Sequence, residues 1–465
     1  MENNATEEIR DDELNRDHTG WSLFLFVLPA IITYVFNGLY TSVDGAFIEK
    51  FEGPFAIAAV NLYYPVLNLT LALGMMIGSG GGVALAALRG QNEGKKADGL
   101  FTQLILFTGL IGVIIAAAGN IFADRIIVWL GASEGNLPYF VPYYRVMVTL
   151  SPILIYAAIL MPFFLAEGKN VAIAVTSIGG GILNIVLDYL FMGPLGLGIA
   201  GAAAATMIGY GLPVAYALLF YLTKKPWGSS FRFCRYRLMP KRILLALYNG
   251  SSEMVTNLAN GVTALIMNHL AYRFFTEIGV SVVSVYLYVQ FMIMAVFMGM
   301  TAALEPLISY HYGSRNFVRG KKVYGMALRM TGIFSAVIFA VMVFFYKDIV
   351  TVFFASSGEE AQFYTLACAS LAFALPACLI TGFNIFISGL FTAYGNGTVS
   401  AILSVLRTFV FLVAAMYLLT EFWHAHGLWL SWFAAEVPSL IVGIIFLIRY
   451  REKYGLKKQS PHLAK

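Results

Sequence analysis

Hydrophobic positions in this chain follow neither a helical nor a strand period; they fill long runs broken by short polar segments. A helix needs about 20 apolar residues, at ~1.5 Å of rise each, to cross the hydrocarbon of a bilayer. Such runs lie at about 20–48, 55–88, 99–121, 139–166, 170–192 and 198–222. After a polar, basic stretch they resume at about 242–272, 279–312, 323–346, 361–391, 397–420 and 427–449. The pattern predicts an all-α polytopic membrane protein with twelve transmembrane helices, several long enough to tilt or to extend past the hydrocarbon. It divides the chain into an N-terminal tail (1–19), a six-helix bundle (20–222), a linker (223–241), a second six-helix bundle (242–450) and a C-terminal tail (451–465).

Composition agrees. The 465 residues are 59% hydrophobic and 12% charged, with a mean hydropathy of +0.76. Soluble domains carry about 25% charged residues, so a soluble enzyme or nucleic-acid-binding fold is excluded. The opening MENNATEEIRDDELNRD is acidic and lacks the basic start of a cleaved signal peptide, so the first apolar run is expected to persist as a helix. Cys234, Cys368 and Cys378 form no CxxC pair, which argues against a disulfide framework or structural zinc.

Lysine and arginine set the orientation. With both termini in the cytoplasm, 23 of the 30 fall on the inner face. They are Arg10, Arg16, Arg89, Lys95, Lys96, Lys169, Lys224, Lys225, Arg232, Arg235, Arg237, Lys241, Arg242 and, in the second half, Arg315, Arg319, Lys321, Lys322, Arg449, Arg451, Lys453, Lys457, Lys458 and Lys465. Only Lys50, Arg125, Arg273 and Lys347 fall outside, a strong positive-inside bias. A multi-pass protein of the cell membrane is expected. The basic linker TKKPWGSSFRFCRYRLMPKR pins this topology and meets anionic headgroups; no nucleic-acid partner is expected.

The two halves echo each other. RGQNEGKKADG follows span 2 and YGSRNFVRGKKVYG follows span 8; span 4 ends FFLAEGKN and span 10 ends LFTAYGNG. The offset is about 226 residues, which predicts a parallel repeat about an axis along the membrane normal.

Ionisable groups inside such runs are costly, ~2.5–3.5 kcal/mol at the bilayer centre on insertion scales, so each needs a role or a partner. Asn37, Tyr40 and Asp44 share one face of span 1; Asn184 and Asp188 are i and i+4 in span 5; Thr206 lies in span 6. Counting rise per residue puts Asp44 ~36 Å along span 1, Asp188 ~27 Å along span 5 and Thr206 ~12 Å from the outer end of span 6. All fall in the outer half of the membrane. Two carboxylates, an amide and a hydroxyl can hold a hard cation, share a proton, or form an inert polar joint between helices. A second set comprises Glu253 and Asn257 in span 7, Glu305 late in span 8 and Arg407 in span 11. It lies ~10–16 Å from the inner face. These residues suit either a buried ion pair or the lining of a cavity that attracts cations. His269 reads as a satisfied polar side chain, His424 and His426 as weak metal candidates, Arg145 and Arg329 as snorkelling cations, and Glu436 has no evident purpose.

Four stretches carry a family resemblance: NGLYTSVDGAFIEKFEG, FFLAEGKNVAIAVTSIGGGILNIVLDYLFMGPLGLGIAGAAAAT, EPLISYHYG and GLFTAYGNG. On these the chain resembles, from about 20 to 450, the MATE (multidrug and toxic compound extrusion) family and within it the MepA- and DinF-like branch. The resemblance implies two pseudo-symmetric six-helix bundles around a cleft that opens alternately to each side. It implies antiport of Na+ or H+ against small molecules, expected to be cationic amphiphiles. A coupling site is implied at Asp44, Asn184, Asp188 and Thr206, with a backbone carbonyl near Ala202. It further implies a bend at Pro29, a cavity tyrosine at Tyr40 and a second-bundle carboxylate at Glu253. Glu305 stands before Pro306 where the family pattern has glutamine. No cofactor and no catalytic residue are implied, and a monomer is expected to suffice. The alternatives are a lipid-linked saccharide flippase of the same superfamily, for which Arg407 is the only suitable cavity arginine, and a narrow-specificity metabolite exporter. A major-facilitator transporter, a membrane enzyme and a channel fit the motifs less well.

Overall fold

The computed structural model describes residues 13–132, 137–223, 231–358 and 361–456. The inner-face cations Arg10, Lys224, Lys225, Lys457, Lys458 and Lys465 lie outside the described residues. In chain order the helices are α1 (Gly20–Glu52), α2 (Pro54–Gly90), α3 (Gly94–Ile121), α4 (Ala123–Trp129), α5 (Leu137–Thr149), α6 (Ser151–Ala166), α7 (Asn170–Met192), α8 (Gly198–Leu222), α9 (Pro240–Gly313), α10 (Phe317–Thr351), α11 (Ala361–Ala374), α12 (Cys378–Ala393), α13 (Gly397–Val405) and α14 (Leu412–Tyr450). A 3-10 turn, Leu375–Ala377, joins α11 to α12, and a π-helical turn, Leu406–Phe411, joins α13 to α14.

Among the described residues nine helical stretches are long and apolar enough to span a membrane, ten when α5 and α6 count as one. Two of the nine are hairpins. In α9 the backbone reverses at Thr276 (φ 56°, ψ −139°), and in α14 at His424 (φ 50°, ψ −132°). Each reversal is followed three residues later by a glycine set against the incoming arm. A Cβ on Gly279 would lie 2.5 Å from the Ala271 carbonyl oxygen, and one on Gly427 2.7 Å from the Thr420 nitrogen. Both stretches therefore cross twice, which gives the twelve passes expected. His424 belongs to a tight turn between helices, and His426 packs its ring on Phe373.

Span 4 differs from the single run expected at 139–166. It is broken into α5 and α6 with a 54° bend. Pro152 opens α6, where its missing N–H and fixed φ suit a first turn and not a helix interior.

Close helix contacts depend on glycine, as in other membrane bundles where backbones must approach. A Cβ on Gly180 of α7 would collide with the Gly209 carbonyl of α8, and one on Gly181 would meet the rings of Phe36 and Tyr40 on α1, the latter at 3.2 Å. The GGG run of α7 thus clamps α1, α7 and α8 together.

Between the halves, α2 lies along both arms of α9. A Cβ on Gly80 would collide with the Ala246 carbonyl, one on Gly250 with that of Met76, one on Gly90 with that of Tyr310 and one on Gly313 with that of Ala87. These crossings close the seam at the end of the molecule that carries the termini.

Two extended segments brace that end. Residues 231–239 run along α3, whose side chains take up the segment's backbone donors. Arg232 N donates to Asp98 Oδ1 at 3.0 Å, Cys234 N to Thr102 Oγ1 at 3.1 Å and Met239 N to Gln103 Oε1 at 2.9 Å. The segment before α1 bridges the halves. Leu14 and His18 are buried, Glu13 covers Gly168, Lys322 Nζ donates to Asp17 Oδ1 at 2.6 Å, and Arg319 Nη1 donates to the Asn15 carbonyl at 2.7 Å.

Candidate functional site

The α1–α7–α8 clamp brings the first polar set together. Asp188 and Asn184 are buried, at 0% and 1% exposure, and face α1 and α8. The carboxyls of Asp44 and Asp188 lie within hydrogen-bonding reach of one another, and Asn184 adjoins Asp188. A Cβ on Gly209 would lie 2.9 Å from Asn184 Cβ. Thr206, three residues before Gly209, and Ala202, four before that, share this face of α8; Ala202 is fully buried.

The electrostatics of the cluster are unusual. Asp44 Oδ1, both oxygens of Asp188, and both the oxygen and nitrogen of Asn184 are buried without a hydrogen-bond partner among the described residues. Two carboxyls in contact are both acceptors when ionised, so neither can satisfy the other without a proton or a cation between them. An unmatched buried polar group costs about 1–3 kcal/mol, and a proton or a cation between the carboxyls would offset that cost.

Four tyrosines lie in the neighbourhood of Asp44, of which only Tyr40 is marked by the sequence. Tyr40 and Tyr210 adjoin one another, and Tyr64, Tyr143 and Tyr210 lie close enough to feel the Asp44 charge. Tyr210 follows Thr206 by four residues on α8, a spacing that would have exposed it; nothing in the sequence marks Tyr64 or Tyr143. Asn37 lies on α1 seven residues before Asp44. Pro29 lies inside α1, nearer its start; its carbonyl accepts from Thr33 Oγ1 at 2.8 Å.

The second polar set lines a narrow cavity between the two halves. Glu253, Glu305 and Arg407 all face it, joined by Tyr34 and Ser79 from the first half. Ser79 Oγ donates to Glu305 Oε2 at 3.2 Å. Arg407 sits on the π-helical turn, and its Nη1 is buried with no partner. Its charge reaches Glu253, yet among the described residues it makes no ion pair within 4.0 Å. Asn257 turns back, donating to the Glu253 carbonyl at 2.9 Å and contacting Met75 Sδ at 3.6 Å. Glu436, without evident purpose in the sequence, accepts from Trp432 Nε1 at 3.1 Å, and its carbonyl accepts from Asn384 Nδ2 at 2.9 Å. Asn384 itself lines the cavity, so Glu436 fixes part of its wall. Among the described residues no group of three or more His, Cys, Asp or Glu side chains converges as a metal site would.

Comparison with known proteins adds the family. The MatE family model matches residues 29–190 and 254–418. The chain is 24% identical over 436 residues to the multidrug export protein MepA of Staphylococcus haemolyticus, covering 94% of each. It is 25% identical over 442 residues to MepA of Staphylococcus aureus, covering 92% of this chain and 93% of that one. Among solved structures it superposes on an outward-facing multidrug resistance MATE transporter of the MOP superfamily with a TM-score of 0.89 at 22% identity, covering 96% and 99% of the two chains. It also superposes on a MOP superfamily transporter of Pyrococcus furiosus, described as having a binding pocket of reversed polarity, with a TM-score of 0.84 at 22% identity, covering 95% and 98%. By the extent of the family match, and with a fold shared nearly end to end, this chain belongs to the MatE family.

Proposed function

We propose that this protein is a secondary exporter that exchanges Na+ or H+ for small, cationic amphiphilic compounds by alternating access. It sits in the cell membrane with both termini in the cytoplasm and acts as a monomer. The observation that carries the reading is the set of buried, unmatched oxygens on Asp44, Asn184 and Asp188. A cation or proton entering from outside satisfies them, with Thr206 and the Ala202 carbonyl completing an all-oxygen shell of the kind hard cations favour. Binding there alters the packing of α1, α7 and α8, and Pro29 gives α1 a place to bend because it removes one backbone hydrogen bond.

Substrate is assigned to the cavity of Glu253, Glu305 and Arg407. Two carboxylates against one guanidinium support a cation over the pyrophosphate of a lipid-linked saccharide. Tyr40, Asn37 and Asn257 supply further polar contacts along the path. The names of the MepA relatives support multidrug export. The closed seam at the terminal end supports reading this conformation as the one open to the outside.

Ethidium efflux from proteoliposomes, with a Na+ gradient and a proton gradient imposed separately, tests the proposal. Efflux driven by one of the two supports it and names the ion. Absence of efflux under both, from folded protein, moves the assignment to a flippase or to an exporter of a narrow metabolite.

A further inference from the structure

The terminal end of the molecule holds a second, open cavity. One wall is α2 with the turn into α3; the other is formed by both arms of α9 and the turn between α12 and α13. Its mouth is basic. Arg315, in the turn after α9, is exposed, and among the described residues it has no carboxylate within 4.0 Å. Arg242, in the first turn of α9, lies 3.5 Å from Glu93, but Glu93 is already held by Lys96 at 2.5 Å, so the mouth keeps a net positive charge. Beside the arginines, Leu245 and Tyr248 line the cavity and expose 65% and 52% of their surface. Deeper in, Asn249 is only 5% exposed. Its Nδ2 donates to the Thr392 carbonyl at 2.8 Å, while its Oδ1 is buried with no donor.

These features select a ligand. A free anion would satisfy the arginines but leave the exposed Leu245 and Tyr248 uncovered. A plain hydrocarbon would use Leu245 and Tyr248 but not the charge. A phosphate ester that carries hydroxyl groups and acyl chains uses all three. We propose that this cavity binds one anionic phospholipid with a hydroxylated head group, of the phosphatidylglycerol type. Its phosphate lies between Arg242 and Arg315, its head-group hydroxyl donates to Asn249 Oδ1, and its chains leave over Leu245 and Tyr248. Arg242 and Asn249 are ~10 Å apart along α9, and a phosphoglycerol drawn sideways into the cavity, met by the arginine side chain, covers that distance. Basic pockets between membrane helices are known to take such head groups. Because the walls come from both halves, the lipid ties the closed seam together. This inference rests on the protein lying in a membrane and not on what it exports.

Native mass spectrometry of the full chain in detergent tests it, using phosphatidylglycerol, phosphatidic acid and phosphatidylcholine with matched acyl chains. One phosphatidylglycerol is expected to remain bound at a concentration at which phosphatidylcholine does not. The double variant Arg242→Gln/Arg315→Gln should weaken retention at least tenfold, whereas Arg125→Gln/Arg273→Gln at the opposite end should not. Asn249→Leu should bring phosphatidylglycerol down to the level of phosphatidic acid and leave the latter unchanged. Equal retention of phosphatidylcholine, or undiminished phosphatidylglycerol on the Arg242/Arg315 variant, overturns the proposal. A second arm needs only the wild-type protein. Phosphatidylglycerol should raise its melting temperature, and glycerol phosphate or inorganic phosphate at millimolar concentration should not. Stabilisation by those soluble anions alone would make this a site for free phosphate and overturn the lipid assignment.

Discussion

Asp188 has no exposure, neither of its oxygens has a donor, and it touches a second carboxyl at Asp44. Residues of this kind are legible in a sequence because a charge inside an apolar run is expensive wherever it sits. Tyrosine is not conspicuous in the same way: it is ordinary at membrane interfaces, so nothing marks Tyr64 and Tyr143 although both lie near enough to feel the Asp44 charge. Glu436 was visible as a charge but not as a part of the wall: Trp432 is its i−4 neighbour on α14, but Asn384 reaches it from α12 only through tertiary packing. Glu305 stands beside Ser79 in the central cavity. Glu305→Gln keeps the shape and the Ser79 contact but removes a charge from the cavity. The expected result is a roughly tenfold rise in KM for ethidium, about 1.4 kcal/mol, with little change for an uncharged dye, measured as efflux from proteoliposomes. Equal loss for both dyes would assign Glu305 a purely structural part.

Helices were read from the sequence far better than their breaks. The apolar runs place the passes, but Pro29, Pro65, Pro142 and Pro162 lie inside helices while Pro152 opens one, so proline alone does not say where a span bends. The strap before α1 was invisible for a different reason. It buries Leu14 and His18, and its Asn15 and Asp17 are held by Arg319 and Lys322, 304 and 305 residues away in the other half. His18 is held by the Glu13 carbonyl at 3.0 Å and by Ser22 Oγ at 3.3 Å, and burial pulls its imidazole below the usual 6.5. The titratable and charged groups around it are Glu13, Arg16 and Asp17 on its own segment and His311 and Arg319 on the second half. Released from its site, His18 titrates near 6.5, so below that pH the detached strap binds more protons than the docked one. The docked strap is therefore at full stability above pH 6.5 and loses it as pH falls through 6.5 toward the depressed value. Amide exchange at residues 13–19, corrected for intrinsic rates, should be faster at pH 5.5 than at pH 7.5, and His18→Gln should flatten the difference. Equal protection at both pH values in the wild type would refute this.

At the scale of the whole molecule, the repeat seen in the loops after α2 and after α9 is also the geometry of the centre. Ser79 bonds Glu305, Ser309 Oγ donates to the Val83 carbonyl at 2.9 Å, and Gly313 packs on Ala87; each pair is separated by 226 residues, the offset of the loops. Under a two-fold that relates residue i to i+226, only residues on the axis can touch their own counterparts. The axis therefore runs between α2 and the second arm of α9. The offset was legible in two glycine-lysine turns, but its consequence was not, because meeting on an axis is a property of two halves already packed. This arrangement leaves the Asp44–Asp188 site inside the first half, away from the axis, while the Glu305 cavity spans both halves. The account consequently separates coupling from substrate capture, and its central claim is that ion binding at Asp44 and Asp188 drives transport from the cavity. The most direct test compares gradient-driven ethidium efflux by wild type, Asp44→Asn and Asp188→Asn in proteoliposomes, with ethidium binding measured on the same preparations. The account predicts that both variants bind the dye but fall to the leak rate under the imposed gradient. Normally expressed variants that still transport at the wild-type rate would contradict it and leave the cluster a structural joint between three helices.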